Sequence, residues 1–560
     1  MNGAQAVLES LKKEGVDIVF GYPGGAVLTL YDAVYQMKFP HVLTRHEQGA
    51  VHAADGYARA TGKVGVVFAT SGPGAGNLIT GIATANIDSV PLVCITGQVA
   101  NPYIGKDSFQ EADIVGITTP ITKHNYLVKD VHDLPRVLKE AFFIARTGRP
   151  GPVVVDVAKD VFDTKFDYKY PENVTLKGYD GQYPTDEKAV DKVAKLLVKA
   201  KRPLLFVGGG VTTSDTTPLV RKLQEGLGVP AVSTLLGLGC IASETEGFLG
   251  LAGMHGSYAS NMAIQQCDLL LCLGMRFSDR VTGSLKTYAR QAKVIHLDID
   301  KSEIDKNVKT DVAVVADCRE SLPALTRYVE RADHSEWRRS FLPLDEQERQ
   351  RVIEPAIHPQ EGPLLMGEVV NAVAEQAPDD TVLVTDVGQN QLFATRYFKY
   401  HHKRSIVTSG GLGTMGFGMP AAIGATFGAP GRTVCMFCGD GGFQMNLQEL
   451  GTIMEQQTPV KMILLNNHYL GNVRQWQDMF WNRRKSFTKM LNPCYELIAQ
   501  GYGIAYEAVT DRAQLKAAVG RMLAAKGPYL LECAIKEDDD VLPMTPPGKS
   551  VEEMMLDIKD

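Results

Sequence analysis

No apolar run in the 560 residues approaches the roughly twenty that span a bilayer, which argues against a membrane-embedded protein. Nor is there an excess of positive charge: 58 Lys and Arg stand against 64 Asp and Glu, a net charge of −6. That balance gives no basis for a nucleic-acid surface or an anionic-membrane partner. Cysteine is sparse and odd in number, nine residues scattered along the chain, several inside apolar runs such as "LVCITG" and "LLLCLG". A disulfide framework is therefore not expected, and a reducing, cytoplasmic setting is. Cys435 and Cys438 form a nominal C-x-x-C, but inside a strand-like run rather than at a helix start, so they read as packing residues. The opening stretch "MNGAQAVLESLKKEGVDIVFGYPGG" lacks a basic start, a long apolar core and a small-residue cleavage site, so no signal peptide is expected. No short-period repeat appears, which excludes a solenoid.

What the chain does have is alternation. Near-continuous apolar runs such as "KVGVVFAT", "GPVVVDV", "RPLLFVGGG", "DLLLCLG", "TVLVTDVG", "RTVCMFCGDG" and "VKMILLNN" recur between helical patterns. Runs of this kind, bounded by Gly, Asn or Asp, are how parallel strands covered on both faces read. Two stretches break the rhythm: the polar, Tyr- and Pro-rich residues 163–188 and the charged residues 334–363. Both read as linkers. They divide a chain too long for one core into three α/β units with doubly wound, mostly parallel sheets. The expected units are 1–165, 187–335 and 362–545, followed by a tail at 546–560, which on charge alone would be solvated.

The stretch "VCMFCGDGGFQMNLQEL" raises the functional question. An apolar strand ends in Gly439-Asp440-Gly441-Gly442, and one helical crossover later a second strand ends in "LLNNHYLGN". Asp and Gly are ordinary turn residues, but ligands of open α/β sheets sit outside the carboxyl ends of the strands. A carboxylate and an amide oxygen there, too few to complete a cage, suit Mg²⁺ that also takes phosphate oxygens and water. The glycines let the backbone approach a phosphate, and the following helix offers its N-terminus. In "TRHEQGAVHAADGYARATG", Glu47 opens a helix rich in small residues. Its carboxylate is either a helix cap or a partnered functional group, because an unpartnered one would be costly there.

The G-D-G…N-N pattern resembles the diphosphate-binding motif of the thiamine-diphosphate-dependent enzymes. The resemblance implies Asp440, Asn467 and the Tyr469 carbonyl as Mg²⁺ ligands. It also implies Glu47 as the glutamate that sets the aminopyrimidine tautomer. The units then become a pyrimidine-binding domain, a central domain and a diphosphate/Mg²⁺ domain of the thiamine-diphosphate-binding fold. Gly388, Gln389 and Asn390 would lie near the diphosphate with Gly439, Gly441 and Gly442. Met415, in G-T-M-G-F-G, would wedge the cofactor into a bent V, although a lone Met would ordinarily be core.

Further segments narrow the resemblance: "GYPGG", "RHEQGA", "DSFQEADIVGIT", "GRPGPVVVDVAKD", "GMRFSDRVTG", "GNVRQWQ" and "VLPMTPPG". Together they are similar to the catalytic subunits of the biosynthetic, FAD-containing acetohydroxyacid (acetolactate) synthases. This implies FAD along Gly208, Gly209, Met254, His255, Arg276, Asp298, Asp317 and Arg149. It implies decarboxylation of pyruvate and ligation of the hydroxyethyl unit to a second 2-keto acid. Pyruvate as acceptor gives 2-acetolactate and 2-ketobutyrate gives 2-aceto-2-hydroxybutyrate, the first common step toward valine, leucine and isoleucine. Arg280 would bind the acceptor carboxylate and Trp476 form the wall of its pocket, with Phe109, Gln110 and Lys159 lining the same cavity. A homodimer or tetramer with shared sites, and a separate small regulatory subunit, are implied as well. The tail would fold over the site when the cofactor binds. Two positions depart from the family: Asn390 replaces a usual His and Asn472 a usual Met, which removes a proton-transfer group and an apolar contact. The alternative is a flavin-dependent pyruvate oxidase or another thiamine-diphosphate 2-keto acid decarboxylase or carboligase.

Overall fold

Six strands, all pairing in parallel, build each of three sheets. The structure, a computed structural model, describes residues 1–327 and 333–558. Residues 328–332, inside the expected central unit, and 559–560, the end of the expected tail, lie outside it. In spatial order the N-terminal sheet runs His41–Leu43, Val19–Gly21, Gly65–Ala69, Leu92–Gln98, Pro152–Ala158, His124–Val128. The C-terminal sheet repeats that order with Ile406–Val407, Val382–Thr385, Val434–Gly439, Lys461–Asn466, Tyr529–Ala534, Ala505–Val509. In both, the order reverses between the first and third strands in sequence.

The central sheet differs. It runs Val312–Val315, Lys293–Asp298, Leu269–Leu273, Pro203–Val207, Ala231–Ser233, Phe248–Leu251. Numbered from its own first strand, this is the 3-2-1-4-5-6 order of dinucleotide-binding folds, with its switch point between Pro203–Val207 and Leu269–Leu273.

Both faces of each sheet are covered, which explains the unbroken apolar runs. Val153, Val155 and Val157 enter one core cluster while Val154 enters the opposite one. Likewise Cys435 and Phe437 face one side of their sheet and Met436 and Cys438 the other. The C-x-x-C pair is therefore split between two cores, and both thiols are free and buried.

The stretches expected as linkers and tail are more engaged than their composition suggests. Tyr168 and Tyr170 hydrogen-bond Ser10 and Glu14 and so lay residues 163–188 along the N-terminal unit. Within 334–363 the chain forms the helices Ser335–Arg339, Leu342–Glu348 and Glu354–Ile357. Trp337 and Phe341 stack edge to face and are buried, and the indole N–H donates to the Pro203 carbonyl at 3.0 Å. Two aromatics on one face outweigh the surrounding charge. The tail is docked rather than solvated: Val551 is buried in the central core, the Ser284 N–H donates to the Lys549 carbonyl, and Gln265 binds Ser550. No helix among the described residues is long and apolar enough to cross a membrane.

The N- and C-terminal units meet along two helices, Glu47–Thr61 and Gly418–Gly428. Gly56 lies against the Ala421 carbonyl and Gly424 against the Ala53 carbonyl, so the axes approach to a distance that any Cβ would prevent. Gly424→Val is expected to lower stability by about 1–3 kcal/mol, the usual cost of overpacking. Thermal unfolding checks this; an unchanged midpoint would show that the seam yields.

Candidate functional site

Three chain segments converge outside the switch point of the C-terminal sheet. Asp386 follows Val382–Thr385, Gly439–Gly442 follows the next strand over, and the loop 409–417 precedes Gly418–Gly428. Asp386 joins them. Its buried carboxylate accepts N–H bonds from Val387 at 2.8 Å, Gly416 at 3.1 Å and Gly418 at 2.9 Å. Gly442 packs directly on the same carboxylate, where a Cβ would overlap it. Burial pushes the Asp386 carboxyl up, against the pull of the three backbone donors. The Met415 loop and the Gly-Asp-Gly turn are thus referred to one side chain. It was not foreseen from the sequence, although it stands at the end of a strand just as Asp440 does.

Asp440 is fully buried in the first turn of Asp440–Met445. Its Oδ2 accepts from Asn492 at 2.7 Å and its Oδ1 from the adjacent Gly441 N–H at 3.1 Å. Burial raises its carboxyl, opposed chiefly by Asn492. Asn492 also donates to Asn466 at 2.9 Å, which ties the two strand ends together. Asn467 accepts the Tyr469 N–H at 3.2 Å, and its amide nitrogen lies 3.5 Å from Gln389 Oε1. Asn390 reaches the Val387 carbonyl through Nδ2, while its buried Oδ1 has no partner among the described residues. Over Gly388 and Gly439 the space is open, with Asn390 Nδ2 the nearest atom at 3.8 and 3.7 Å from where a Cβ would stand. Met415 lies across from Gly441. An open floor of glycine backbone, an orphaned amide oxygen and a buried carboxylate with spare lone pairs suit a diphosphate and a hard cation.

Glu47 is not the cap of its helix: His46 Nδ1 accepts the Gln48 N–H at 3.0 Å and does that work. Among the described residues the buried Glu47 takes one bond, from Asn77 Nδ2 to Oε2 at 2.9 Å. Among the described residues no hydrogen bond or ion pair joins it to the Gly439–Gly442 turn. Gln110, held at φ +60 beside Gly72, stays on a loop of the N-terminal unit, the exposed Lys159 opens the helix Lys159–Asp163 of the same unit, and the Phe109 ring is exposed.

In the central unit, Gly208 follows the first strand of the switch point and packs against Gly274 and Met275 from the second. Gly209 continues this turn, and Arg276 lies two residues past Gly274. Arg149 crosses from the N-terminal unit to Asp300 at 3.1 Å and Glu303 at 3.2 Å. Nearby, burial pushes the Asp298 carboxyl up to about 7. Burial, together with Arg280 and Arg396, holds the His255 imidazole down at about 4, and its Nδ1 has no partner among the described residues. Asp317 is engaged elsewhere, capping Cys318–Thr326 and pairing with Arg319. Arg280 lies 5.6 Å from the Trp476 ring centre and 3.5 Å from the Met254 sulfur, so those three residues do meet.

Comparison with known proteins gives the family. Residues 1–117 match the N-terminal thiamine pyrophosphate (TPP) binding domain of thiamine pyrophosphate enzymes, 190–325 their central domain and 386–533 their C-terminal TPP binding domain. The fold and site therefore define a three-domain thiamine pyrophosphate enzyme. The chain is 45% identical to the acetolactate synthase isozyme 2 large subunit of Escherichia coli (strain K12), over 99% of both chains. It is 44% identical to the acetolactate synthase large subunit of Lactococcus lactis subsp. lactis (strain IL1403), over 99% of this chain and 96% of that one. To acetolactate synthase 1, chloroplastic, of Nicotiana tabacum it is 43% identical, over 99% and 85%. The chain belongs to the acetolactate synthase large-subunit family.

Asp386→Asn keeps the shape but turns one acceptor into a donor facing an N–H. A loss of roughly 1–3 kcal/mol is expected, as for other unsatisfied buried polar groups. Hydrogen exchange across residues 410–418 should quicken; unchanged protection there would remove the anchoring role.

Proposed function

We propose that the chain is an acetolactate synthase catalytic subunit, joining the two-carbon unit of pyruvate to a second pyruvate or to 2-ketobutyrate. The observation that carries this reading is the half-satisfied Asp440, tied through Asn492 to the strand end before Asn467, and the open glycine floor at the switch point. It occurs in a chain alike, end to end, to named large subunits. When bound, thiamine diphosphate supplies the acyl-anion equivalent and the electron sink that let a 2-keto acid lose CO₂. Asp440, the Asn467 side-chain oxygen and the Tyr469 carbonyl would hold Mg²⁺, a donor set of hard oxygens that leaves room for phosphate oxygens and water. Asn390 keeps one Nδ2 N–H for the diphosphate, and Gln389, whose side-chain N–H groups go to Gln475 and Asp539, offers its backbone N–H at the start of Gln389–Tyr397.

Among the described residues Glu47 Oε1 has no protein partner and so can share a proton with a pyrimidine ring nitrogen. Its burial makes that hydrogen bond strong. Its protein partner lies in the N-terminal unit and those of Asp440 in the C-terminal unit. A second copy of the chain completes each site, giving a homodimer, or a tetramer of two. The central turns at Gly208, Gly209 and Arg276, with Met254, His255, Asp298 and Arg149, suit FAD bound at a dinucleotide switch point. Arg280 takes the acceptor carboxylate through its guanidinium. Trp476 is the wall against which the acceptor's extra methylene packs. The curated relatives' designation as large subunits supports a small regulatory partner, and the setting proposed for the enzyme is the cytoplasm.

Purified protein given thiamine diphosphate, Mg²⁺, FAD and pyruvate is expected to form 2-acetolactate while the flavin spectrum stays oxidised. Acetate or acetyl phosphate with bleaching of the flavin would instead establish an oxidase. Glu47→Gln should cut turnover by about 10²-fold or more, the usual weight of a positioned proton-transfer group, with cofactor still bound. Full activity would end its assignment. Trp476→Leu should lower the preference for 2-ketobutyrate over pyruvate by roughly tenfold, the scale of one methylene contact. An unchanged product ratio in a mixed-acceptor competition would remove the wall.

A further inference from the structure

Gln475 stands beside Trp476 on the helix Gly471–Phe480, is fully buried, and has no role in the reaction as described above. Its amide is nevertheless engaged at both ends. Oε1 accepts from Gln389 Nε2 at 3.1 Å and from the Val541 N–H at 3.0 Å, and Nε2 donates to the Val541 carbonyl at 3.1 Å. Reciprocal pairing of a side-chain amide with one residue's backbone is directional in a way that apolar packing is not.

The neighbours reinforce it. Gln389 also donates to the Asp539 carbonyl at 2.8 Å. Arg474 reaches the same carbonyl at 2.6 Å and Asp540 at 2.5 Å. Residues 539–541 are thereby fastened to the helix that carries Trp476. Further along, the Thr545 N–H donates to the Met254 carbonyl at 2.8 Å. Met254 meets Arg280, and Arg280 faces the Trp476 ring. The contacts close a loop: Gln389, Gln475, Trp476, Arg280, Met254, and back through residues 541–545. One arm reaches the turn assigned to the diphosphate, and the other carries the two groups assigned to the acceptor.

We propose that Gln475 is a positioning residue for acceptor choice: by clamping residues 539–545 to the helix Gly471–Phe480, it sets Trp476 relative to the Gln389 turn. This rests on the synthase reading given above. Gln475→Met keeps the volume and removes the hydrogen bonds. Gln475→Glu keeps the length and the two acceptor contacts but places an oxygen against the Val541 carbonyl.

Three quantities are measured on wild type and both variants: hydrogen exchange of the backbone amides at 539–545, the thiamine diphosphate dissociation constant with Mg²⁺, and the ratio of 2-aceto-2-hydroxybutyrate to 2-acetolactate from mixed acceptors. Exchange should quicken in both variants. The product ratio should shift roughly threefold to tenfold, the scale of one net hydrogen bond, and the dissociation constant should stay within about threefold. If Gln475→Met does not fold, Gln475→Glu carries the same three readings. Faster exchange with an unchanged product ratio would make the clamp merely structural and overturn the proposal. A weakened cofactor with an unchanged ratio would place the effect on Gln389 and overturn it equally. Failure of the wild type to form either product would take down the synthase reading, and this inference with it, a result seen before any variant is compared.

Discussion

Backbone contact between two helices governs the arrangement of the molecule. Glu47–Thr61 and Gly418–Gly428 touch through Gly56, Gly424, Ala53 and Ala421, and each helix begins at a functional turn. Glu47 opens the first; the Met415 loop leads into the second. A seam of small residues has little freedom to slide, because every carbonyl sits in a hollow that only glycine leaves. Polar ties cross near it. Arg59 pairs with Asp55 and Asp88, Asp88 accepts from Gly410 at 2.9 Å and Gly411 at 2.7 Å, and Thr84 meets Thr414 at 2.7 Å. The loop that holds Met415 is therefore gripped from the N-terminal unit at one end and by Asp386 at the other.

Buried carboxylates recur in this architecture, and most are answered by backbone N–H groups. Asp386 takes three, Asp88 two, and Glu449 takes the Arg45 N–H and the Thr452 hydroxyl. A carboxylate satisfied by peptide donors fixes loops that have no regular structure of their own, since losing any one bond leaves a costly orphan. Glu47, by contrast, takes a single donor among the described residues, the Asn77 side-chain amide.

Much of the fold was legible in the chain because burial on both faces writes itself as unbroken apolar runs, Val153–Val157 among them. The switch-point turns were legible for the same reason: Gly439–Gly442 and Gly208–Gly210 stand directly after such runs. Less legible were segments whose order comes from a few anchors. Residues 334–363 read as charged linker, yet Trp337 and Phe341 make them a helical part of the central unit. The acidic tail is held by Val551 and a handful of backbone bonds. Asn492, which joins Asp440 to Asn466, had no signature, because a loop asparagine far along the chain looks like any other. Asp317, expected along the flavin, caps Cys318–Thr326, as an aspartate before a helix often does.

The sequence by itself determined three parallel α/β units, the positions of the glycine turns and the chemical type of the groups at their tips. These are local properties, set by strand periodicity and by the few residues able to turn there. Only the tertiary structure decided the central strand order that puts Gly208 and Arg276 at one switch point. It also decided that His46 rather than Glu47 caps its helix, and that Gln475 joins the Gln389 turn to residues 539–545. Each of those depends on partners tens of positions away, or on which of two neighbouring side chains a backbone N–H meets, and neither is encoded in spacing alone.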